Sequence, residues 1–185
     1  MLKEIIEDTK KGMEKSLNSL DMTFKSIRTG RASPALLEDI KIDYYQTLTP
    51  LNQLASISVE DAKTLAIVPW EKSVVQDIEK AIMESELGLS PATSGNTVRV
   101  ILPDLTEETR KEFIKKARSE AEIAKVSIRS VRRAGNSQLK EFLKEKEISG
   151  DEERQGEEEI QKLTDIFVTK TDEALTIKER DLLDF

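Results

Sequence analysis

Apolar residues recur at three- and four-residue steps through the first part of the chain, at Leu2, Ile5, Ile6, Met13, Leu17, Leu20, Phe24 and Ile27. That spacing places them on one stripe of a helix. The stripe lasts until Thr29-Gly30, where Gly30 followed by Pro34 is a stop signal, since Pro cannot continue a helical hydrogen-bond ladder. The predicted first helix has about 28 residues and a length of about 42 Å.

From Arg31 to Asp104 the pattern changes. Ile40 to Tyr44 alternates, Thr47 to Pro50 reads as a turn cluster, Ala55 to Val59 alternates again, and Thr64 to Val68 is β-branched and apolar. After Pro69-Trp70, helical spacing returns at Val74, Val75, Ile78, Ala81 and Ile82, with Gly88 and Pro91 as its end. Ser94-Gly95-Asn96 reads as a turn and Val98 to Leu102 as a last strand. Several strands around one short helix predict a small α+β unit.

Beyond Pro103 the helical pattern resumes. Thr106 is a candidate N-cap, and Glu107 and Glu108 place negative charge where the helix dipole favours it. Phe113, Ala117, Ala121, Ala124, Ile128, Val131, Leu139 and Phe142 form an apolar stripe reaching about Lys146, so this helix approaches about 60 Å. Ile148 to Gly156 reads as a break, and Ile160, Leu163, Ile166, Phe167, Ala174 and Ile177 mark a third helix. Long helices with one apolar stripe each must bury those stripes against one another. The expected architecture is therefore α+β: an elongated three-helix bundle from residues 1–30 and 104–185, with a small, mostly β domain inserted at 31–103. Thr29-Gly30-Arg31 and Leu102-Pro103-Asp104 form the two connections and a candidate hinge.

Composition narrows the chemistry. The 185 residues contain no cysteine and no histidine, which removes disulfides, thiolate nucleophiles, Cys/His zinc sites and histidine-based triads. Charged residues make up 35% of the chain against about 25% in typical domains, as expected of long solvated helices. No apolar run approaches the ~20 residues of a membrane span and no targeting segment is recognisable, so the expectation is a soluble, cytoplasmic protein without a membrane partner.

The net charge of −7 argues at face value against a nucleic-acid partner. Divided by segment, it reads differently. Residues 31–104 carry six basic and eleven acidic side chains, so the acidity is concentrated in the insert. Ile123 to Lys140 contains Lys125, Arg129, Arg132, Arg133 and Lys140 and no acid at all. On a helical wheel Lys111, Lys115, Arg118, Lys125, Arg129, Arg132, Arg133, Asn136 and Lys140 share an arc of about 100°, centred about 130° from the apolar stripe. Glu122 is the one acid on that arc. A solvated face is the alternative to a binding surface. No aromatic residue is interleaved with these cations, so the face suits phosphates of folded RNA better than stacking on single strands, and acidic protein is the competing partner.

Other candidate chemistry is weak. Ser137-Gln138-Leu139-Lys140 matches a Ser-x-x-Lys pattern without its companion motifs, which keeps a minor hydrolase only as an alternative. The acids Asp151, Glu152, Glu153, Glu157, Glu158 and Glu159 lack calcium-loop spacing and fit charge at a helix N-terminus. Ser94-Gly95-Asn96 lacks a phosphate-loop lysine. Trp70 is expected in a core or against a domain boundary, with a partner anchor as the alternative. Gly135, inside the long helix, should cost about 1 kcal/mol relative to alanine. No catalytic, metal or cofactor site is expected.

The strings Ile27-Arg28-Thr29-Gly30-Arg31-Ala32-Ser33-Pro34, Gln53-Leu54-Ala55-Ser56-Ile57, Ile78-Glu79-Lys80-Ala81-Ile82, Leu87-Gly88-Leu89 and Val131-Arg132-Arg133 stand together with Glu158 and Ile160-Gln161-Lys162-Leu163-Thr164-Asp165. With them the chain closely resembles the bacterial ribosome recycling factor family over its whole length. The resemblance implies an L-shaped molecule with a hinged insert, and a monomeric, non-enzymatic factor. It implies binding to post-termination ribosomes through large-subunit ribosomal RNA, and separation of the subunits with elongation factor G and that partner's GTP hydrolysis. Arg132 matches the family's principal RNA-binding arginine, and Arg129 carries over beside it. Lys125, Arg133 and Arg28 rest on the wheel or the boundary motif.

Overall fold

The computed structural model describes residues 1–183; Asp184 and Phe185, at the end of the expected bundle segment, lie outside the described residues. The described residues divide into two compact units, residues 1–27 with 108–183, and Arg28–Glu107.

The first unit contains α1 (Leu2–Ser26), α3 (Glu107–Lys144, with its first residue in the other unit) and α4 (Gly150–Leu183). The stripe residues Met13, Ile128 and Phe167 form one buried cluster, and Ile5, Leu139, Ile148 and Ile160 another. Each cluster draws on all three helices or their connection, which is how amphipathic helices of this length become stable. Thr9, Thr164 and Thr171 are buried too, and each hydroxyl donates to the carbonyl four residues earlier, at 2.7 to 2.9 Å. Small residues permit the closest approaches. A Cβ on Gly135 would lie 2.6 Å from Thr9 Oγ1, and one on Gly156 2.8 Å from Leu2 Cδ1. Gly135 therefore serves packing, and the helix around it is continuous.

The helix ends differ from expectation. α1 stops at Ser26 rather than at Thr29-Gly30, because Ile27 turns to extended backbone (φ −80°, ψ 120°) and its side chain is buried. α3 ends at Lys144 in a Schellman arrangement: Lys146 takes the left-handed conformation (φ 60°), Lys146 N–H donates to Leu143 O and Glu147 N–H to Phe142 O. The expected break at Ile148 to Gly156 is corrected to a tight connection before Gly150, and Gly156 lies inside α4. Ser149 starts that helix. Its Oγ accepts from Glu152 N–H at 3.2 Å while the Glu152 carboxylate accepts from Ser149 N–H at 2.8 Å, a reciprocal capping box.

The second unit holds β1 (Lys41–Tyr44), β2 (Thr47–Pro50), β3 (Ala55–Asp61), β4 (Thr64–Pro69), α2 (Val75–Glu84), β5 (Ser90–Ser94) and β6 (Thr97–Ile101). β1 and β2 form a hairpin, and the other strands an antiparallel sheet in the order β3-β4-β6-β5. Leu65, Ile67, Val98 and Val100 point from the sheet into a core closed by Ile78 and Ile82 of α2 and by Leu37, Leu51 and Leu89.

Two strands differ from the sequence expectation. Thr47–Pro50 pairs with β1 across Tyr45 and Gln46, both at positive φ (48° and 65°), a hairpin geometry normally signalled by Asn or Gly. Pro91, expected at a helix end, lies in the edge strand β5, where a missing N–H is tolerated.

Candidate nucleic-acid interface

The acid-free stretch Ile123 to Lys140 lies wholly within α3, and its buried residues Ala124, Ile128, Gly135 and Leu139 fix which way that helix faces. Arg129, Arg133 and Lys140 are consequently exposed. Among the described residues no carboxylate lies within ion-pair distance of Arg129 or Arg133. Their charge is available to an external anion.

Arg132 is half-buried, and its Nη1 donates to Gln161 Oε1 of α4 at 3.4 Å. Gln161 in turn donates through Nε2 to Asp165 Oδ1 at 2.9 Å. This relay orients the guanidinium without neutralising it, since the group it touches is an uncharged amide. Periodicity on α3 could not reveal Gln161, because the interaction crosses helices; the conspicuous string from Ile160 to Asp165 was the available signal.

Lys125 behaves differently from its neighbours on the wheel. Its side chain is only 15% exposed, and Nζ lies 2.5 Å from Asp172 Oδ1 and 3.4 Å from Glu122 Oε1. The hydrogen bond that Lys125 donates to Asp172 raises its pKa above the usual lysine value against the opposing effect of burial. The expectation that Lys125 presents its charge to solvent is thus corrected: two carboxylates already hold it. Arg118 is likewise engaged, 2.5 Å from Glu179 Oε1, and its pKa is raised by that hydrogen bond. Carboxylates thus interrupt the basic face at Arg118 and Lys125, and the acid-free stretch beyond them presents Arg129, Arg133 and Lys140, with Arg132 half-buried between them.

Arg28 lies in the second unit, half-buried beside a cavity of about 40 Å³ lined also by Gly30, Leu36 and Leu102. The structure does not bring it together with the α3 arginines in one unit. The candidate hinge residues Thr29, Gly30, Arg31, Leu102, Pro103 and Asp104 also fall within the second unit. Leu102 is buried in its core and donates its N–H to Lys63 O at 2.8 Å, and Asp104 pairs with Lys63. Gly30 has φ 81°, a conformation open to glycine without strain.

Ser137 and Lys140 are both exposed on α3. Among the described residues no group of three or more acidic side chains is placed to hold a metal ion, and no helix is long and apolar enough to cross a membrane.

The sequence pattern described as "Ribosome recycling factor" matches residues 20–183. The chain belongs to the ribosome recycling factor family. Ribosome-recycling factors of Coxiella burnetii and Marinomonas are 55% and 50% identical to it, over 99% and 100% of both partners respectively. A solution structure of the ribosome recycling factor superposes with a TM-score of 0.78 at 37% identity, covering 100% of this chain and 98% of that one. A second relative, the T. thermophilus ribosome recycling factor described with E. coli elongation factor G bound to the E. coli post-termination complex, is 42% identical with a TM-score of 0.67 over 99% of both chains. The family match spans the insert and the whole basic segment of α3 as well as the helix that supplies Gln161.

Proposed function

We propose that the chain binds post-termination ribosomes and, with elongation factor G and GTP hydrolysis by that partner, drives their dissociation into subunits. The observation that carries the docking step is the open cluster Arg129, Arg132 and Arg133 in a segment without acids. Arginines at successive turns of a rigid helix fit phosphate oxygens of folded RNA, and Gln161 holds Arg132 at the angle from which it reaches them. Lys125 braces this face through Asp172 rather than engaging RNA itself. Arg28 adds an interaction beside the first connection.

The residues 104–185 and 1–30 serve as the ribosomal RNA-binding body and 31–103 as the moving part. Bending takes place at Thr29, Gly30 and Arg31 in one connection and at Pro103 and Asp104 in the other, with Leu102 travelling in the core of the insert. The chain acts as a cytoplasmic monomer and as a mechanical factor, not an enzyme, its driving energy coming from the nucleotide of its partner. Cosedimentation with large ribosomal subunits over a salt series tests the docking step. Binding should weaken steeply with salt; binding indifferent to salt would refute it.

A further inference from the structure

The insert carries a feature that docking on RNA does not use. Trp70, the chain's one tryptophan, is 67% exposed and so does not take the expected core position. Its backbone is nevertheless fixed: Trp70 N–H donates to Leu54 O at 3.2 Å, continuing the β3–β4 pairing one step beyond Ala55 and Pro69. An indole that already stands in solvent on a fixed backbone needs no rearrangement of the sheet when a partner covers it. It stands at a groove of about 390 Å³ whose other walls include Pro34, Glu38, Ala55, Ser56 and Ile57.

Three properties of this groove specify an occupant. Its floor follows the first residues of β3, an edge strand of the sheet, so an extended segment laid there meets main-chain groups that no neighbouring strand of the sheet takes up. Among the described residues Glu38 is the one charged member of its walls, and the segment 31–104 around it has six basic against eleven acidic side chains. The exposed indole face binds a guanidinium through its negative quadrupole. Walls of Pro34, Asn52, Ser56 and Ile57, with one carboxylate and one aromatic face, are complementary to an arginine flanked by small aliphatic residues.

We propose that the groove between Pro34–Glu38 and β3, flanked by Trp70, is a docking site for an extended, arginine-bearing segment of a basic protein. The arginine stacks on Trp70 and pairs with Glu38, while an adjacent aliphatic side chain covers Ile57. This inference stands on the insert alone, so its failure and that of ribosome docking through α3 are read in separate experiments.

Trp70 supplies the test, since it is the only indole to report. The full chain is titrated at low salt with an end-blocked Arg-Val-Arg-Val-Arg peptide and, separately, with its Glu-Val counterpart. A saturable blue shift of tryptophan emission with the arginine peptide alone is expected. Glu38→Lys should weaken that binding about tenfold, and Trp70→Ala, followed by calorimetry, by a similar factor, whereas Glu158→Lys on α4 should change it less than about twofold. Equal affinity for both peptides, an unsaturable response, or full affinity in Glu38→Lys would overturn the proposal. So would a blue shift that grows with protein concentration without peptide, which would assign the groove to a second copy, or one given only by an RNA fragment.

Discussion

Gly135 of α3 faces Thr9 of α1 so closely that a Cβ at position 135 would lie 2.6 Å from the Thr9 hydroxyl oxygen. That hydroxyl is not free to move, because it donates to Ile5 O at 2.7 Å, and Ile160 Cδ1 closes the other side at 3.0 Å. Helix propensity alone favours Gly135→Ala by about 1 kcal/mol. Overpacking a well-filled interface costs about 1–3 kcal/mol, so the variant should be less stable than the parent on balance. Urea unfolding measures this. Thr9→Ala should recover part of the loss in the double variant, and simple additivity would show that the two residues do not press on each other.

Arg129→Ala and Arg133→Ala remove exposed cations that touch no carboxylate of the described residues. Stability and helicity should stay within about 0.5 kcal/mol of the parent. Ribosome affinity should fall, and the slope of log K against log salt should become shallower by about 1 for each phosphate left unengaged. Arg132→Ala should lower affinity as well, while Gln161→Ala should do so more weakly with the slope unchanged, because it disturbs the direction of a charge rather than its presence.

Lys125 and Lys178 should give opposite pH signatures. Burial lowers the pKa of Lys178, with Asp181 opposing, and its Nζ donates to Ile27 O at 2.9 Å. Its folded pKa thus lies below the unfolded value of about 10.4, the unfolded chain binds more protons in the interval just beneath, and stability from this group rises with pH there. Asp172 raises the pKa of Lys125, so its stabilisation is complete below about 10.4 and is lost as pH climbs through the higher folded value. Compared with the parent in urea unfolding across alkaline pH, Lys178→Met should lose the rise and Lys125→Met the later fall. Parallel curves for all three proteins would contradict both assignments. Lys125→Met should also leave the salt slope of ribosome binding unchanged.

Ser149→Ala removes the hydroxyl half of the capping box and should destabilise the protein by about 1 kcal/mol. The hydrogen bonds from Ser149 lower the pKa of Glu152, so the contribution of this carboxylate is present at neutral pH and declines as pH falls through that depressed value. In the Ser149→Ala variant the decline should begin at a higher pH, measured by following the Glu152 carboxyl resonance in a titration.

Where each part of the fold is written explains which parts the sequence displayed. Helix stripes such as Met13, Leu20 and Phe24 repeat locally, and so they announced themselves. The turn at Tyr45-Gln46 adopts left-handed backbone without a glycine or asparagine, and Pro91 is tolerated only because its strand is at an edge, a fact that belongs to the sheet. Gly156 looks like a helix breaker until Leu2 and Leu139 are seen packed against it. The basic face was legible for the same reason as the stripes. That Lys125 is held by Asp172 and Arg132 aimed by Gln161 was not, because those pairs join different helices across 47 and 29 residues.

In the proposed function the open arginines of α3 dock this chain on the ribosome so that recycling can follow. Light scattering of post-termination ribosomes mixed with the chain, elongation factor G and GTP reports subunit separation directly. The parent should split them, and a variant carrying Arg129→Ala, Arg132→Ala and Arg133→Ala, with unchanged circular dichroism, should not at matched concentration. Splitting at the parental rate by that variant would contradict docking through these arginines.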